Sequence, residues 1–340
     1  MKFDLTFFPG SNIHADLDLI KQAETWDLDG VWTAEVAHNP FFPLTLGAKE
    51  TSKINLGTQI AVAFPRSPMV TAQIAWDLAA QSKGRFILGL GTQVRAHITR
   101  RFSEEWHDPV GRMRDYIGGM RAIWDTFQND TRLRYRSNYY EFRLMAPFFN
   151  PGAIEYPDIP VYVAGVNANI SKMAGEVCDG LHAHGFHTPD YLRNVVMANV
   201  NHGLSSAERT RGDFTLVVPL FIVTGRNTRE KQQMAIEAKS RIAFYASTPS
   251  YKAVMAHHGW DDLRVKLSQM AREGKWDEMW REISDEMMKE IALVAEPDEL
   301  FDAIHARYNG LADRICLGIE TNDPDNLALW KQILTERKPA

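Results

Sequence analysis

The chain has only two cysteines in 340 residues, Cys178 and Cys316, and they form no C-x-x-C motif. So sparse a set cannot be a disulfide framework, and it favours a reduced, cytoplasmic setting. A chain this long buries a substantial core without such staples. No apolar run reaches the roughly 18 residues of a membrane helix, so no membrane partner is expected. The opening MKFDLTFFPG is too short and too polar to be a secretory signal. Blocks of basic residues are missing too. The 38 Lys and Arg are outnumbered by 43 Asp and Glu, and the net charge of −5 disfavours a nucleic-acid partner. What remains is a soluble globular composition, 45% hydrophobic and 24% charged.

Within that composition, strand-like and helix-like stretches alternate. FDLTFF reads as a strand and residues 14–28 as a helix, with Leu17, Ile20, Ala23 and Glu24 at helical spacing. GVWTA, INLGTQIAV and RFILGL read as the next three strands, separated by the helical PLTLGAKETS and by a helix opening near Pro68. The rhythm resumes with IPVYVAG, DGLHAH and FTLVVPLFIV, each followed by a helical stretch, the last at residues 228–246. PDELFDAIHARY, ADRICLGI and PDNLALWKQIL supply a helix, an eighth strand and a final helix. Strands that alternate with helices imply parallel βα units. Eight of them favour a closed (β/α)8 TIM barrel over an open doubly wound sheet.

Two stretches interrupt the alternation. Residues 102–157 hold a helix, a hairpin pattern (LRYRSNYYEF) and the loop MAPFFNPG; residues 249–291 hold several short helices. Neither has enough apolar content for its own core. They read as insertions, after strand 4 and between strands 7 and 8, in a single domain over residues 1–340.

The stretch GRFILGLGTQV, residues 84–94, approaches the dinucleotide fingerprint G-x-G-x-x-G. Val94 stands where the third glycine would pack helix against strand, no clean amphipathic helix follows at once, and the motif sits on the fourth strand. In a barrel, glycines at a strand's C-terminal end instead let a flat ring lie against bare backbone.

Taken in order, GVWTAEVAH, INLGTQIAVAFPRSP, SKGRFILGLGTQV and VYVAGVNANISKMAGEVCDGL resemble the bacterial luciferase-like superfamily, most of all its coenzyme F420-dependent oxidoreductase branch. The resemblance covers most of the chain. It implies a TIM barrel that binds the deazaflavin F420, or alternatively FMN, at the C-terminal ends of its strands. It also implies a small-molecule substrate and a homodimer.

The same resemblance assigns roles to individual positions. Glu35, at the end of strand 2, corresponds to an acidic residue beside the cofactor ring. A non-prolyl cis peptide forming a bulge under the ring falls at Gln59–Ile60, followed by Ala61. Gly91, Thr92 and Gln93 correspond to positions at the pyrimidine edge, and His97 to a further polar contact. Gly165, Val166, Asn167, Asn169 and Ile170 correspond to the segment that meets the phosphate-bearing tail; a helix N-terminus there suits an anion on physical grounds as well. Alternatively, Asn167 simply caps that helix.

Two positions depart from the family's alcohol and sugar-phosphate dehydrogenases, which the resemblance equips with a histidine after the strand-2 acid and a glutamate two residues past the strand-4 threonine. Here those places hold Val36 and Val94. A glucose-6-phosphate dehydrogenase activity is therefore not expected; His38 is the substitute within reach of the first position. Phe41, Phe42, Phe64, Phe148 and Phe149 fall in loops expected on the catalytic side, where aromatics suit an apolar or aromatic substrate. The residues GLHAHGFH offer a competing reading. His182 and His184 share a strand face with His187 nearby, as in metal-dependent amidohydrolases. Because that motif belongs to a first strand and no matching Asp/His set follows, no metal site is expected. His184 reads instead as a pocket residue with a catalytic role beside Glu35 and His38.

Overall fold

A computed structural model describes residues 1–319 and 324–336. Eight strands carry the architecture: β1 (Lys2–Phe7), β2 (Gly30–Thr33), β3 (Asn55–Thr58), β4 (Phe86–Gly91), β5 (Val161–Ala164), β6 (Gly180–His182), β7 (Thr215–Leu220) and β8 (Arg314–Gly318). Each pairs in parallel with its sequence neighbour, and β1 pairs with β8. The ring closes where β3 meets β4 through Leu56–Phe86 and Gly57–Ile87. The eight-stranded (β/α)8 barrel expected from the alternation is the fold observed.

Local signals place the helices on its outside. Asn12 caps the helix Ile13–Thr25 through the N–H groups of His14 and Ala15. Ser67 and a first-turn proline open the helix Pro68–Gln81. The crossover from β4 to β5 is the helix Pro109–Asn129. Its buried Met113, Tyr116, Ile117, Met120, Ile123, Trp124 and Phe127 recur every three or four residues along one face.

Both irregular segments lie where expected, with different contents. In the first, the helix is the barrel's own crossover, and the hairpin Tyr135–Arg136/Glu141–Phe142 folds back on it. There the Tyr135 hydroxyl donates to the Asp115 carbonyl at 2.9 Å. In the second, the insertion starts earlier, at residue 224. The short strands Ile222–Val223 and Leu293–Val294 pair in parallel and bracket it, so the helix Thr228–Ser247 belongs to the excursion. The crossover to β8 is Leu300–Tyr308. Burial explains the difference: the buried residues of Thr228–Ser247 are confined to Ala238 onward, so it cannot cover a strand along its length.

The barrel interior is filled in layers. At the N-terminal end, Asp4 on β1 and Arg314 on β8 form a buried bidentate pair at 2.6 and 2.7 Å, and the Trp32 indole donates to the same carboxylate at 2.9 Å. Above it lie Trp32, Ile87, Tyr162, Val217 and Cys316. Gly57 makes room for the Trp32 ring, and Gly89 for the Thr58 backbone and the His182 ring. A Cβ on Gly57 would lie 2.3 Å from the Trp32 ring, and one on Gly89 would lie 1.8 Å from the Thr58 carbonyl oxygen. A polar layer of Thr6, Gln59 and His182 comes next, under the C-terminal mouth. Among the described residues no helix is long and apolar enough to cross a membrane.

Candidate functional site

The C-terminal mouth is shaped by an irregularity between β3 and the short strand Ala61–Val62. The peptide bond Gln59–Ile60 is cis. The chain bulges there and rejoins β4 through Ala61–Leu90 and Val62–Gly91. Glu35, just past β2, ties the bulge down. Its N–H donates to the Ile60 carbonyl at 3.2 Å, and its carboxylate accepts the Val62 N–H at 2.7 Å. The same carboxylate takes two bonds from the Arg66 guanidinium, at 2.7 and 2.8 Å, while Arg66 also donates to the Val62 carbonyl at 2.8 Å. Only 9% of the Glu35 side chain is exposed. Every part of this carboxylate is committed to protein groups, so the geometry gives it a holding role. The composition offered little warning of Arg66, a single arginine in the FPRSP stretch.

Beneath the bulge, the Thr6 hydroxyl donates to the Gln59 side-chain oxygen, and the Gln59 amide meets His182 Nδ1 at 3.1 Å. Since Nδ1 accepts there, the proton of the neutral ring is on Nε2, which is buried without a hydrogen-bonding partner among the described residues. Burial holds the His182 pKa down at about 3.

Beside the bulge, Gly91 has no room for a side chain, since a Cβ would lie 2.5 Å from Ile60 Cδ1. Thr92 and Gln93 follow, half-buried at the rim. Gln93 is in the left-handed region at φ 57°, a conformation that costs a non-glycine residue about 1 kcal/mol and concentrates at functional sites. Its side chain is turned back onto the Val94 N–H at 3.0 Å rather than outward. Val36 and Val94, which follow Glu35 and Gln93, are exposed apolar groups.

Past β5, the Gly165 N–H donates to the His182 carbonyl at 3.1 Å, and Val166 accepts from the Tyr191 hydroxyl at 3.1 Å. Asn167 precedes the helix Ala168–Val177, but its side chain does not cap it. Instead the amide reaches the Ser250 carbonyl in the second insertion at 3.3 Å. The simple capping alternative therefore fails, and the first-turn N–H groups near Asn169 and Ile170 lack a side-chain acceptor. Across the mouth, His184 lies beyond β6 on the same face as His182, in contact with Tyr245 and Tyr251 of the second insertion.

Glu35, Gln59, Ile60, Ala61, Gly91, Thr92 and Gln93 thus gather around one bulge, with the Gly165–Ile170 segment two strands away. His38 and His97 do not join them. Both side chains are exposed, His38 on the loop after β2 within electrostatic reach of Asp16 and His97 on the short helix Arg95–Arg100. Among the aromatics, Phe41 and Phe64 are core, with Arg66 over one ring and Arg112 over the other, while Phe42 is exposed. Phe148 and Phe149 are not on the catalytic side. They sit on a 3₁₀ turn whose neighbour Asn150 bonds Thr126 and Asp130 at the far end of the β4–β5 crossover helix. The hairpin carries the chain back down that helix, which a loop-by-loop reading of the sequence does not show.

The histidine cluster is likewise held by protein groups. His187 donates from Nδ1 to the His184 carbonyl at 2.7 Å and accepts from the Tyr308 hydroxyl at 3.1 Å. Among the described residues, no three His, Cys, Asp or Glu side chains are grouped to hold a metal. A cavity of about 1020 Å³ opens at the opposite, N-terminal end of the barrel, lined by residues such as Lys2, Asp29, Asn55 and His305. That end of a TIM barrel serves stability rather than chemistry.

The mouth thus combines a clamped bulge, a glycine beside it and a helix N-terminus without a side-chain cap.

Known proteins bear on the same region. An uncharacterized protein of Mycobacterium tuberculosis is 41% identical over 287 residues, 84% of either chain. The 5,10-methylenetetrahydromethanopterin reductase of Archaeoglobus fulgidus is 25% identical over 312 residues, 90% of this chain and 89% of its own. The structure of the coenzyme F420 dependent tetrahydromethanopterin reductase from Methanopyrus kandleri superposes with a TM-score of 0.81 at 19% identity, over 98% of this chain and 97% of that one. The model of the luciferase-like monooxygenase family matches residues 4–314, and with that match the chain belongs to this family.

Proposed function

We propose that this protein is an oxidoreductase that binds a flat flavin-type cofactor, F420 with FMN as the alternative, and transfers a hydride between it and a small apolar or aromatic substrate. The single observation that carries the reading is the clamped bulge. Glu35 and Arg66 hold the chain at Gln59–Val62 in a fixed bulge, with the Ile60 side chain lying over the bare backbone of Gly91. The F420 dependence of the Methanopyrus kandleri enzyme and the reductase activity of the Archaeoglobus fulgidus relative support F420. When bound, F420 supplies two-electron hydride chemistry, whereas FMN also opens oxygen insertion.

The chain's own residues supply position and environment. The bulge at Gln59, Ile60 and Ala61 would support the ring, and the backbone of Gly91, Thr92 and Gln93 would hold its polar edge. The uncapped N–H groups at Asn169 and Ile170, beside Gly165, Val166 and Asn167, would hold the phosphate of the tail, favoured by the helix dipole. Val36 and Val94 make the rim apolar, which disfavours a sugar phosphate and admits an apolar substrate.

Side-by-side fluorescence titration with F420 and FMN tests the reading. Saturable binding of one of them at micromolar concentration is expected, weakened by Glu35→Gln. Binding of neither refutes it, and tighter binding of FMN moves the assignment to the alternative.

A further inference from the structure

The mechanism outlined above leaves unused a group of polar rings on the β6–β7 side of the mouth. His184 is half-buried two residues past β6, and its ring lies 4.4 Å from that of Tyr245 and 4.6 Å from that of Tyr251, centroid to centroid. The two tyrosine rings are 5.2 Å apart. Phe221, past β7, stacks on Tyr245 at 6.1 Å and 17°, and Phe186 closes the group against both tyrosines. The tyrosines come from the second insertion, so the cage exists only because that excursion folds over the mouth.

The protonation of His184 is set by its surroundings. The Phe186 N–H donates to His184 Nδ1 at 3.0 Å, so Nδ1 carries no proton and the neutral ring presents Nε2–H. Burial, with His187 close by, holds the ring's pKa down at about 3, and it stays neutral at physiological pH. Among the described residues, neither this Nε2–H nor the hydroxyls of Tyr245 and Tyr251 has a hydrogen-bonding partner. Burial raises the pKa of both phenols, Tyr251 more strongly, so they too stay neutral donors. These donors are not sealed from solvent, so an acceptor bound in the cage takes their hydrogen bonds in place of water.

We propose that His184, Tyr245 and Tyr251 bind the substrate, holding a carbonyl or phenolic oxygen on a conjugated or aromatic ring that packs against Phe186 and Phe221. The ring supplies apolar area to the aromatic wall, and its oxygen accepts the hydrogen bonds the wall leaves open. The cage lies across the mouth from the bulge, so an oxygen held there orients the substrate's plane toward the open face of the cofactor. This deepens the proposed function by naming a substrate class, and it rests on that reading for the cofactor's place.

The probe is 4-nitrophenol, whose absorbance reports binding and ionisation without turnover, titrated alongside F420. Saturable binding to the native protein is expected. His184→Phe should weaken it by about tenfold or more, as loss of a bond to a charged acceptor does, and the isosteric Tyr251→Phe by about threefold or more. His184→Gln keeps a donor at the Nε2 position and should restore binding to within about threefold of native. F420 affinity should change by less than about twofold in Tyr251→Phe. Near-UV circular dichroism checks that each variant is folded, and Tyr251→Phe serves if the His184 variants are not.

Absence of saturable nitrophenol binding overturns the proposal, as does a folded Tyr251→Phe that binds it as well as the native protein. A His184→Gln variant as defective as His184→Phe overturns the donor role. If F420 affinity falls in step with nitrophenol affinity, the cage belongs to the cofactor and the proposal falls. If neither F420 nor FMN binds while nitrophenol binding still depends on Tyr251, the cofactor reading fails and the cage stands.

Discussion

Replacing Glu35 by Gln tests whether the bulge is held by charge or merely by shape. The native carboxylate accepts three bonds at 2.7–2.8 Å, one from Val62 and two from Arg66, with its side chain 9% exposed and that of Arg66 16%. Glutamine keeps one acceptor oxygen, enough for Val62. It places an amide where Arg66 needs a second acceptor, and the charge is lost. A charge-assisted bond contributes about 1.5–3 kcal/mol. Breaking a fully buried pair costs about 3–5 kcal/mol, and this pair keeps some contact with solvent. The expected destabilisation is therefore about 2–3 kcal/mol. Unfolding entropy of roughly 2.1 cal/mol/K per residue gives about 0.7 kcal/mol/K for 340 residues, so the midpoint should fall by about 3–4 °C. Differential scanning calorimetry measures the shift, and a cofactor titration on the folded variant measures the site. Affinity should fall by about tenfold, since a released bulge no longer presents a fixed backbone. A midpoint within about 1 °C of native together with unchanged affinity would refute the holding role.

Other expectations concern the core and its histidines. Asp4→Asn leaves Arg314 buried without its counter-charge and should cost about 3–5 kcal/mol in urea denaturation; a cost below about 1 kcal/mol would show that water reaches the pair. Gly89→Ala puts a methyl group 1.8 Å from the Thr58 carbonyl oxygen, so it should abolish soluble expression or shift the barrel, while the exposed Gly274→Ala should be milder. His182, His184 and His187 are held neutral, at about 3, 3 and 4 against an ordinary 6.5. The unfolded chain therefore binds more protons below pH 6.5, and stability falls as pH drops from 6.5 toward 4. At pH 5.5 each group forfeits about 1.4 kcal/mol, about 4 kcal/mol for all three. Urea midpoints from pH 7 to 5 check this, and a flat profile would mean that these rings are hydrated.

Particular elements show where local pattern suffices. The eight strands are legible because each is a short apolar run followed by a helix with its own cap or amphipathic face, and those signals lie within a few residues of one another. The helix Thr228–Ser247 shows the limit. Its periodicity declares a helix but not whether it covers the barrel or the mouth, which depends on the pairing of Ile222–Val223 with Leu293–Val294 some seventy residues on. The bulge residues are recognisable through family likeness at Gln59–Ile60, yet Arg66 and the commitment of Glu35 to it are visible only in three dimensions.

Composition and periodicity settled that this chain closes a parallel barrel with interruptions after the fourth and seventh strands, because hydrophobic spacing acts locally and burial of one face leaves few alternatives. Folding in space decided which polar groups are spoken for and which are left open. Glu35 is consumed by Arg66, and Phe148 is carried away from the mouth. Tyr245 and Tyr251 are brought over His184 from a segment some sixty residues distant in the chain. Hydrogen bonds and ring contacts between residues so far apart depend on distances of a few ångströms, and only the packed chain sets those.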